Sequence, residues 1–295
     1  MCLIVLAWQV HSDYPLVVAA NRDEFFARPA APAAFWPEAP QVLAGRDLEA
    51  GGTWLGVSRA RRFAALTNYR EGGKQDPDAR SRGALVADFL IGKASPAAYL
   101  AEVAAAAADY NGFNLFVGDE QHLGYFSNRG DGQPHWLEPG IYGLSNHLID
   151  TPWPKLASAK ATFAAALSGL PAPAPFFALL ADQEIVPDAH LPETGVPLEW
   201  ERILSAVFVR SENYGTRAST LLTRQRDGQT TLIERSFDAD ACAIGEVYER
   251  CETFSANGHD FSSALDHESH DRLPLPRPIP REMGGVDLTV QAWSD

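Results

Sequence analysis

The chain has 295 residues, 46% of them hydrophobic and 21% charged, which places it among ordinary globular proteins and excludes collagen, coiled coil and wholesale disorder. A chain this long can bury roughly 75% of the surface its unfolded form exposes, so it needs neither disulfide nor metal to hold a core. Its net charge of −14 argues against a nucleic-acid partner, because Arg59, Arg61 and Arg62, the densest basic group, read as solvated loop cations.

In chain order, Cys2–Val10 is apolar and β-branched, His11-Ser12-Asp13 has turn chemistry, and Leu16–Ala20 is a second apolar run. Together they predict a hairpin. Residues 27–40, rich in Ala and Pro, read as an irregular loop. Gly51-Gly52 marks a turn, and Thr53–Ser58 with Arg62–Thr67 predicts a second hairpin. Helical spacing covers Ser81–Ile91, and Ser95-Pro96 opens a helix over Ala97–Ala108. Phe113–Gly118 and His122–Ser127 form a further hairpin pattern around Asp119-Glu120.

Tyr142–Leu144 is a short strand, Trp153–Leu167 and Pro175–Ala181 are helices, and Arg202–Val209 has mixed character. Thr216–Arg224 and Gln229–Phe237 flank Asp227-Gly228, a favoured hairpin turn. Strands, helices, strands, a helical middle and strands again predict an α+β domain with mainly antiparallel sheets. The expected division is one domain over 1–254 and a polar, Pro-rich tail or covering arm over 255–295.

No apolar run approaches the roughly 20 residues of a membrane-spanning helix. The opening run Leu3–Trp8 has no basic segment before it and is no signal peptide. Cys2, Cys242 and Cys251 are odd in number and widely spaced, forming neither a disulfide framework nor a zinc pattern, and they point to a reducing, cytoplasmic compartment. His267-Glu268-Ser269-His270 is the one metal-like cluster, and it reads as a solvated acidic segment. Phosphate-loop, dinucleotide and serine-elbow motifs are absent, so no cofactor and no metal is expected.

Cys2 stands out by position. Cysteine is small enough for methionine aminopeptidase to remove Met1, leaving a free α-amine beside a thiol. Their reference pKa values lie near 7.7–8.0 and 8.5, so the amine can take the thiol proton near neutrality. One residue then supplies nucleophile and base. A hairpin turning near residues 11–14 also brings Asn21-Arg22-Asp23-Glu24 to the end where Cys2 sits, placing Arg22 or Asp23 beside it.

The opening Met-Cys-Leu-Ile and Asn21-Arg22-Asp23-Glu24 resemble the NRDE family of transport and Golgi organisation protein 2-like chains. Gly52-Thr53-Trp54-Leu55-Gly56, Thr67-Asn68-Tyr69-Arg70, Gly143-Leu144-Ser145-Asn146 and Tyr214-Gly215-Thr216-Arg217-Ala218-Ser219-Thr220 extend the likeness to about Phe237. That family in turn resembles N-terminal nucleophile (Ntn) hydrolases of the choloylglycine hydrolase and penicillin V acylase type.

The resemblance implies a four-layer αββα sandwich and hydrolysis of a non-peptide C–N bond in linear amides. By motif, Cys2 would be the nucleophile and Asp23 would accept from its α-amine. Asn146 would help hold the amine, Asn68 would help form the oxyanion site, and Arg217 would sit near the sulfur and favour thiolate. Asn21, Arg22, Glu24, Trp54, Tyr69 and Arg70 are the candidate ligand-binding residues. One departure is that the acylases carry an arginine three residues before the aspartate. Here that position is Ala20, and Arg22 directly precedes Asp23, on the opposite face of an extended segment.

Two expectations follow. One is a cysteine amidohydrolase acting on a small-molecule substrate. The other is a non-catalytic binding or trafficking protein for an apolar, anionic ligand such as haem or acyl-CoA, with arginines pairing the anionic head.

Overall fold

In the computed structural model, residues 2–73 and 75–252 are described. The tail over 255–295, including His267-Glu268-Ser269-His270, lies outside them.

Among the described residues, thirteen strands form two antiparallel sheets. β1 (Cys2–Trp8) and β2 (Leu16–Phe25) are the first hairpin. β3 (Ala30–Trp36), β4 (Ala39–Asp47), β5 (Leu55–Ser58) and β6 (Phe63–Asn68) follow. After helices α1 (Arg82–Ile91) and α2 (Pro96–Ala105) come β7 (Phe113–Gly118), β8 (Leu123–Ser127), β9 (His135–Trp136) and β10 (Gly140–Leu144). Helices α3 (Pro154–Ala166), α4 (Ala174–Leu180) and α5 (Leu198–Ile203) precede β11 (Tyr214–Arg224), β12 (Thr230–Phe237) and β13 (Ala243–Cys251). One sheet runs β10-β1-β2-β11-β12-β13 and the other β3-β4-β5-β6-β7-β8-β9.

Strand alternation explains the layers. On β1, Ile4, Leu6 and Trp8 meet Leu43, Val57, Phe63 and Phe116 of the other sheet, making the inter-sheet core. Leu3, Val5 and Ala7 point the other way, onto Leu156, Phe163 and Phe176 of α3 and α4. The second sheet's outer face, with Ala64, Leu66 and Leu115, is covered by Leu85, Phe89 and Leu100 of α1 and α2. Helix, sheet, sheet and helix stack in that order, the αββα sandwich that the resemblance implied.

Three local readings are corrected. Residues 27–40 are not an irregular loop, because β3 and the start of β4 occupy them. β3 is the outermost strand of its sheet, where Pro32 sits in a register irregularity and its missing N–H costs no essential ladder bond. Arg62 is buried, its Nε and Nη2 donating to Phe89 O and Ala94 O, both at 2.7 Å. It therefore satisfies carbonyls at the C-terminal end of α1, where a cation is favoured. Edge strand β13 has no counterpart in the sequence reading, since only Val247 and Cys251 pack inward and the charged Glu249 between them breaks the apolar alternation.

Among the described residues, no helix is long and apolar enough to cross a membrane.

Candidate active site

Cys2 is the first residue of β1 and shares the inter-sheet face of Ile4 and Leu6. Its partner across the ladder is Arg22 on β2. Directly opposed residues point to the same side of a sheet, so the guanidinium and the thiol face the gap together. Cys2 is 8% exposed and Arg22 9%. Arg22 Nη2 lies 3.6 Å from Glu24 Oε2 and 3.7 Å from Asp47 Oδ2. Burial pushes the Cys2 thiol up, Asp23 and Glu24 act in the same sense, and Arg22 opposes them.

Asp23 takes the opposite face of β2, toward the helices. The register sets Thr216 of β11 across from it, and Thr216 Oγ1 donates to Asp23 Oδ1 at 2.7 Å. The Tyr214 hydroxyl donates to Asp23 O at 3.0 Å. Burial raises the Asp23 carboxyl, and Lys155, the Thr216 bond and Arg70 pull it back.

On the other flank of β1, β10 pairs as far as Ile4–Leu144, so Ser145 and Asn146 leave the sheet at the Cys2 end. Asn146 has φ +60°, a left-handed conformation that Asn tolerates better than most residues, and it is 0% exposed. Its Nδ2 donates to Asn68 O at 3.0 Å, and its own carbonyl accepts from Arg70 N at 2.6 Å. Among the described residues, Asn146 Oδ1 and Ser145 Oγ are both buried without a hydrogen-bond partner. Orphaned buried acceptors are rare and costly, which marks this corner as built for something else. Asn68 ends β6, half-buried, with its carbonyl serving Asn146.

Arg217 occupies a β-bulge. The register runs from Thr216–Asp23 to Ala218–Arg22, leaving Arg217 as the extra residue. Its Nη1 donates to Phe25 O at 3.2 Å and to Arg28 O. Its hydrogen bonds thus go to the β2–β3 turn rather than to Cys2, although Arg22, Glu24 and Asp47 shape its field.

Two of the expected ligand-binding residues lie on the helix-facing side of the sheet, opposite Cys2. Asn21 shares the outward face of Asp23. Its Nδ2 donates to Leu180 O at 2.8 Å and Val207 O at 2.9 Å, and its Oδ1 accepts from Ser219 Oγ at 2.6 Å. It ties β2 to the helical layer and faces no cleft. Arg70 is likewise buried on that side, its Nη1 2.7 Å from Glu201 Oε2.

Glu24 stays beside Arg22, with Oε1 accepting from Phe25 N at 2.9 Å. Trp54 is a wall of the inter-sheet core that also holds Cys2. Tyr69 packs on His147, ring centres 4.9 Å apart, and Trp153 covers that imidazole from 5.5 Å. The His147 ring also meets Thr151 Oγ1 at 2.8 Å, so it is a packed structural histidine.

The sequence reading missed several charged groups. Arg82 opens α1, donates to Gly112 O at 3.2 Å, and feels Glu24, Arg28 and Cys2. Glu234 is buried in the gap, with Oε1 accepting from Ala33 N at 2.7 Å and Oε2 from Thr220 Oγ1 at 3.3 Å. Thr216 and Tyr214 were within reach, since the 214–220 motif contains both. A cavity of about 170 Å³, lined by Trp8, His122, Trp136 and Leu137 among others, opens at the other end of β1 and is separate from Cys2.

Residues 1–239 match the family described as Transport and Golgi organisation 2. The chain belongs to that family. It is 42% identical over 259 residues to the Transport and Golgi organization protein 2 homolog of Bos taurus, covering 80% of this chain and 93% of that one. It is 38% identical over 258 residues to the Homo sapiens homolog, with the same coverage. The Drosophila melanogaster protein is 30% identical over 248 residues, covering 76% of this chain and 86% of its own.

Among solved structures, penicillin V acylase from Agrobacterium tumefaciens is similar at 12% identity and a TM-score of 0.36, covering 80% of this chain and 83% of that one. The C2A mutant of conjugated bile acid hydrolase from Clostridium perfringens is similar at 11% identity and a TM-score of 0.39, covering 88% and 100%. For this Transport and Golgi organisation 2 family member, the motifs carrying the sequence resemblance fall on four neighbouring strands, β10, β1, β2 and β11, and on β5 and β6 of the facing sheet. They converge at one end of the sandwich, on Cys2.

Proposed function

We propose that this chain is a cysteine amidohydrolase of the Ntn type, acting on a non-peptide C–N amide through Cys2 once Met1 has been removed. One observation carries the reading. Cys2 heads an inner strand between Arg22 and the Asn146 corner, where a buried Oδ1 lacks a partner, with Asp23 anchored beneath. An α-amine at Cys2 is the donor such an acceptor would suit.

The chemistry follows from those groups. The amine takes the thiol proton as Sγ attacks the acyl carbon. It then returns that proton to the leaving nitrogen, and a thioester remains. Water attacks the thioester with the same amine as base, releasing the acid and restoring the thiol. Arg22, across the ladder from the sulfur, favours the thiolate in a site where burial opposes it.

A second reading is non-catalytic binding of an apolar ligand with an anionic head, haem or acyl-CoA, held by Arg22. It is favoured by the burial that pushes the thiol up. N-terminal peptide mass spectrometry with a thiol-directed electrophile separates the two. Loss of Met1 and labelling of Cys2 ahead of Cys242 and Cys251, followed by Cys2-dependent cleavage of an N-acyl amide, is the expected result. Retained Met1, or a Cys2 no more reactive than the other thiols, rejects the enzyme and leaves the binding protein.

A further inference from the structure

Lys155 is a buried titratable group that the chemistry above leaves unused. It lies in the first turn of α3 and is 6% exposed. Its Nζ donates to Leu204 O at 2.7 Å and, more distantly, to Ala206 O at 3.5 Å. Both acceptors are neutral main chain. A cation in the first helical turn also meets the positive end of the helix dipole. Nothing local therefore explains a charge there.

The explanation lies across the layer between the first sheet and its helices. Asp23 on β2 and Glu201 on α5 lie within electrostatic reach of Lys155, as do Arg70 after β6 and Cys2 on β1. Tyr214 of β11 reaches Asp23 O, and His190 lines the same crevice as Lys155 and Arg70. Arg70 and Glu201 offset one another at 2.7 Å, with side chains only 2% and 3% exposed. Asp23 and Lys155 are two further buried charged groups of this layer, and a buried cation and carboxylate within reach of one another are cheapest when both are ionised.

We propose that Lys155 is a positioning residue for the Cys2 nucleophile: its ammonium keeps Asp23 ionised beneath β1, so that the carboxylate can hold the Cys2 α-amine as base. This rests on the Ntn-hydrolase reading. The role is poised near neutrality. Burial and then Arg70 lower Lys155 to about 7, while Asp23, Glu201 and Cys2 oppose that shift. Below that pH the ammonium and carboxylate coexist, and above it the pull of Lys155 on Asp23 is lost.

The test is the rate of Cys2 alkylation by iodoacetamide between pH 5 and 9, read on the Met1-free N-terminal peptide against Cys242. Wild type, Lys155→Met and Lys155→Arg are compared. Denaturant unfolding of a Lys155→Met and Asp23→Asn double-mutant cycle is run alongside. The expected K155M profile moves up by about one pH unit, or roughly tenfold slower labelling at pH 7, and K155R restores the rate. In the cycle, the double variant loses less than the two single losses together.

A K155M profile within twofold of wild type, or an additive cycle, overturns the proposal. Should K155M not fold, K155R decides, because its cation no longer titrates near neutrality. Loss of the wild-type inflection near pH 7 supports the role, and its persistence overturns it. A wild-type Cys2 no more reactive than Cys242 instead rejects the hydrolase reading, and that result is visible without any Lys155 variant.

Discussion

Cys2 and Arg22 stand directly opposite each other on neighbouring antiparallel strands, both turned into the gap between the sheets. Ala20, two residues before Arg22 on the same face, pairs with Ile4 one step deeper in the sandwich. Arg22 is thus the residue of β2 that sets a guanidinium beside the thiol. Arg22→Met removes it while keeping the bulk. Labelling of Cys2 at pH 7 is expected to slow by roughly threefold to tenfold, with Arg22→Lys in between. An unchanged rate in Arg22→Met would show that Arg22 serves only Glu24 and Asp47.

Asn21 is a structural tie, and its loss should register as stability rather than reactivity. Asn21→Leu strands Leu180 O, Val207 O and Ser219 Oγ in the buried layer. The expected cost is about 3 kcal/mol in denaturant unfolding, with the Cys2 labelling rate of the folded protein unchanged. A ligand-binding Asn21 would give the reverse pattern.

The Arg70–Glu201 pair is almost wholly buried, and Thr194 also donates to the Glu201 carboxylate. Glu201→Gln removes the carboxylate 2.7 Å from the buried guanidinium and should destabilise by about 3 kcal/mol. The double variant Arg70→Met with Glu201→Leu is expected to recover most of that loss. Two melting curves decide the point: a double variant as unstable as Glu201→Gln would contradict it.

Asp23 gives a pH dependence with a definite sign. Its carboxyl is raised in the fold, chiefly by burial, so the folded state binds its proton more readily than the unfolded state does. Stability from this group is present below the unfolded value near 3.8 and is lost as pH rises through the folded value. Asp23→Asn removes that loss. The stability of Asp23→Asn relative to wild type should therefore improve steadily from about pH 4 upward, as read by urea midpoints. A difference that is flat with pH would mean that Asp23 is not raised.

Much of this architecture is legible in the chain because turn chemistry is local. Asp227-Gly228, Asp119-Glu120 and the His11–Asp13 segment each fall between the strands they were read as joining. One turn position brings Arg22 or Asp23 beside Cys2, and the strand register selects Arg22. What stayed hidden depends on neighbours distant in sequence. Pro32 reads as a strand breaker until its strand is seen to be an edge. Asn21 reads as a ligand residue until the face it shares with Asp23 is known to meet helices. Lys155 carries no signal of its own within the Trp153–Leu167 helix pattern, and only the main chain of Leu204 and Ala206 reveals its burial. The bulge that turns Arg217 toward the β2–β3 turn belongs to the β2–β11 register and leaves no mark in either strand alone.

The 21–24 tetrad alternates its side chains between two environments, with Arg22 and Glu24 facing the gap and Asn21 and Asp23 facing the helices. A frame of period two has a mechanical weakness: one residue inserted or deleted between Trp8 and Leu16 shifts its phase. Such a change would turn Asn21 and Asp23 into the gap and drive the guanidinium and Glu24 into the helical layer, while leaving every residue of the tetrad intact. The length of that short turn is thus as much a part of the site as the residues that line it.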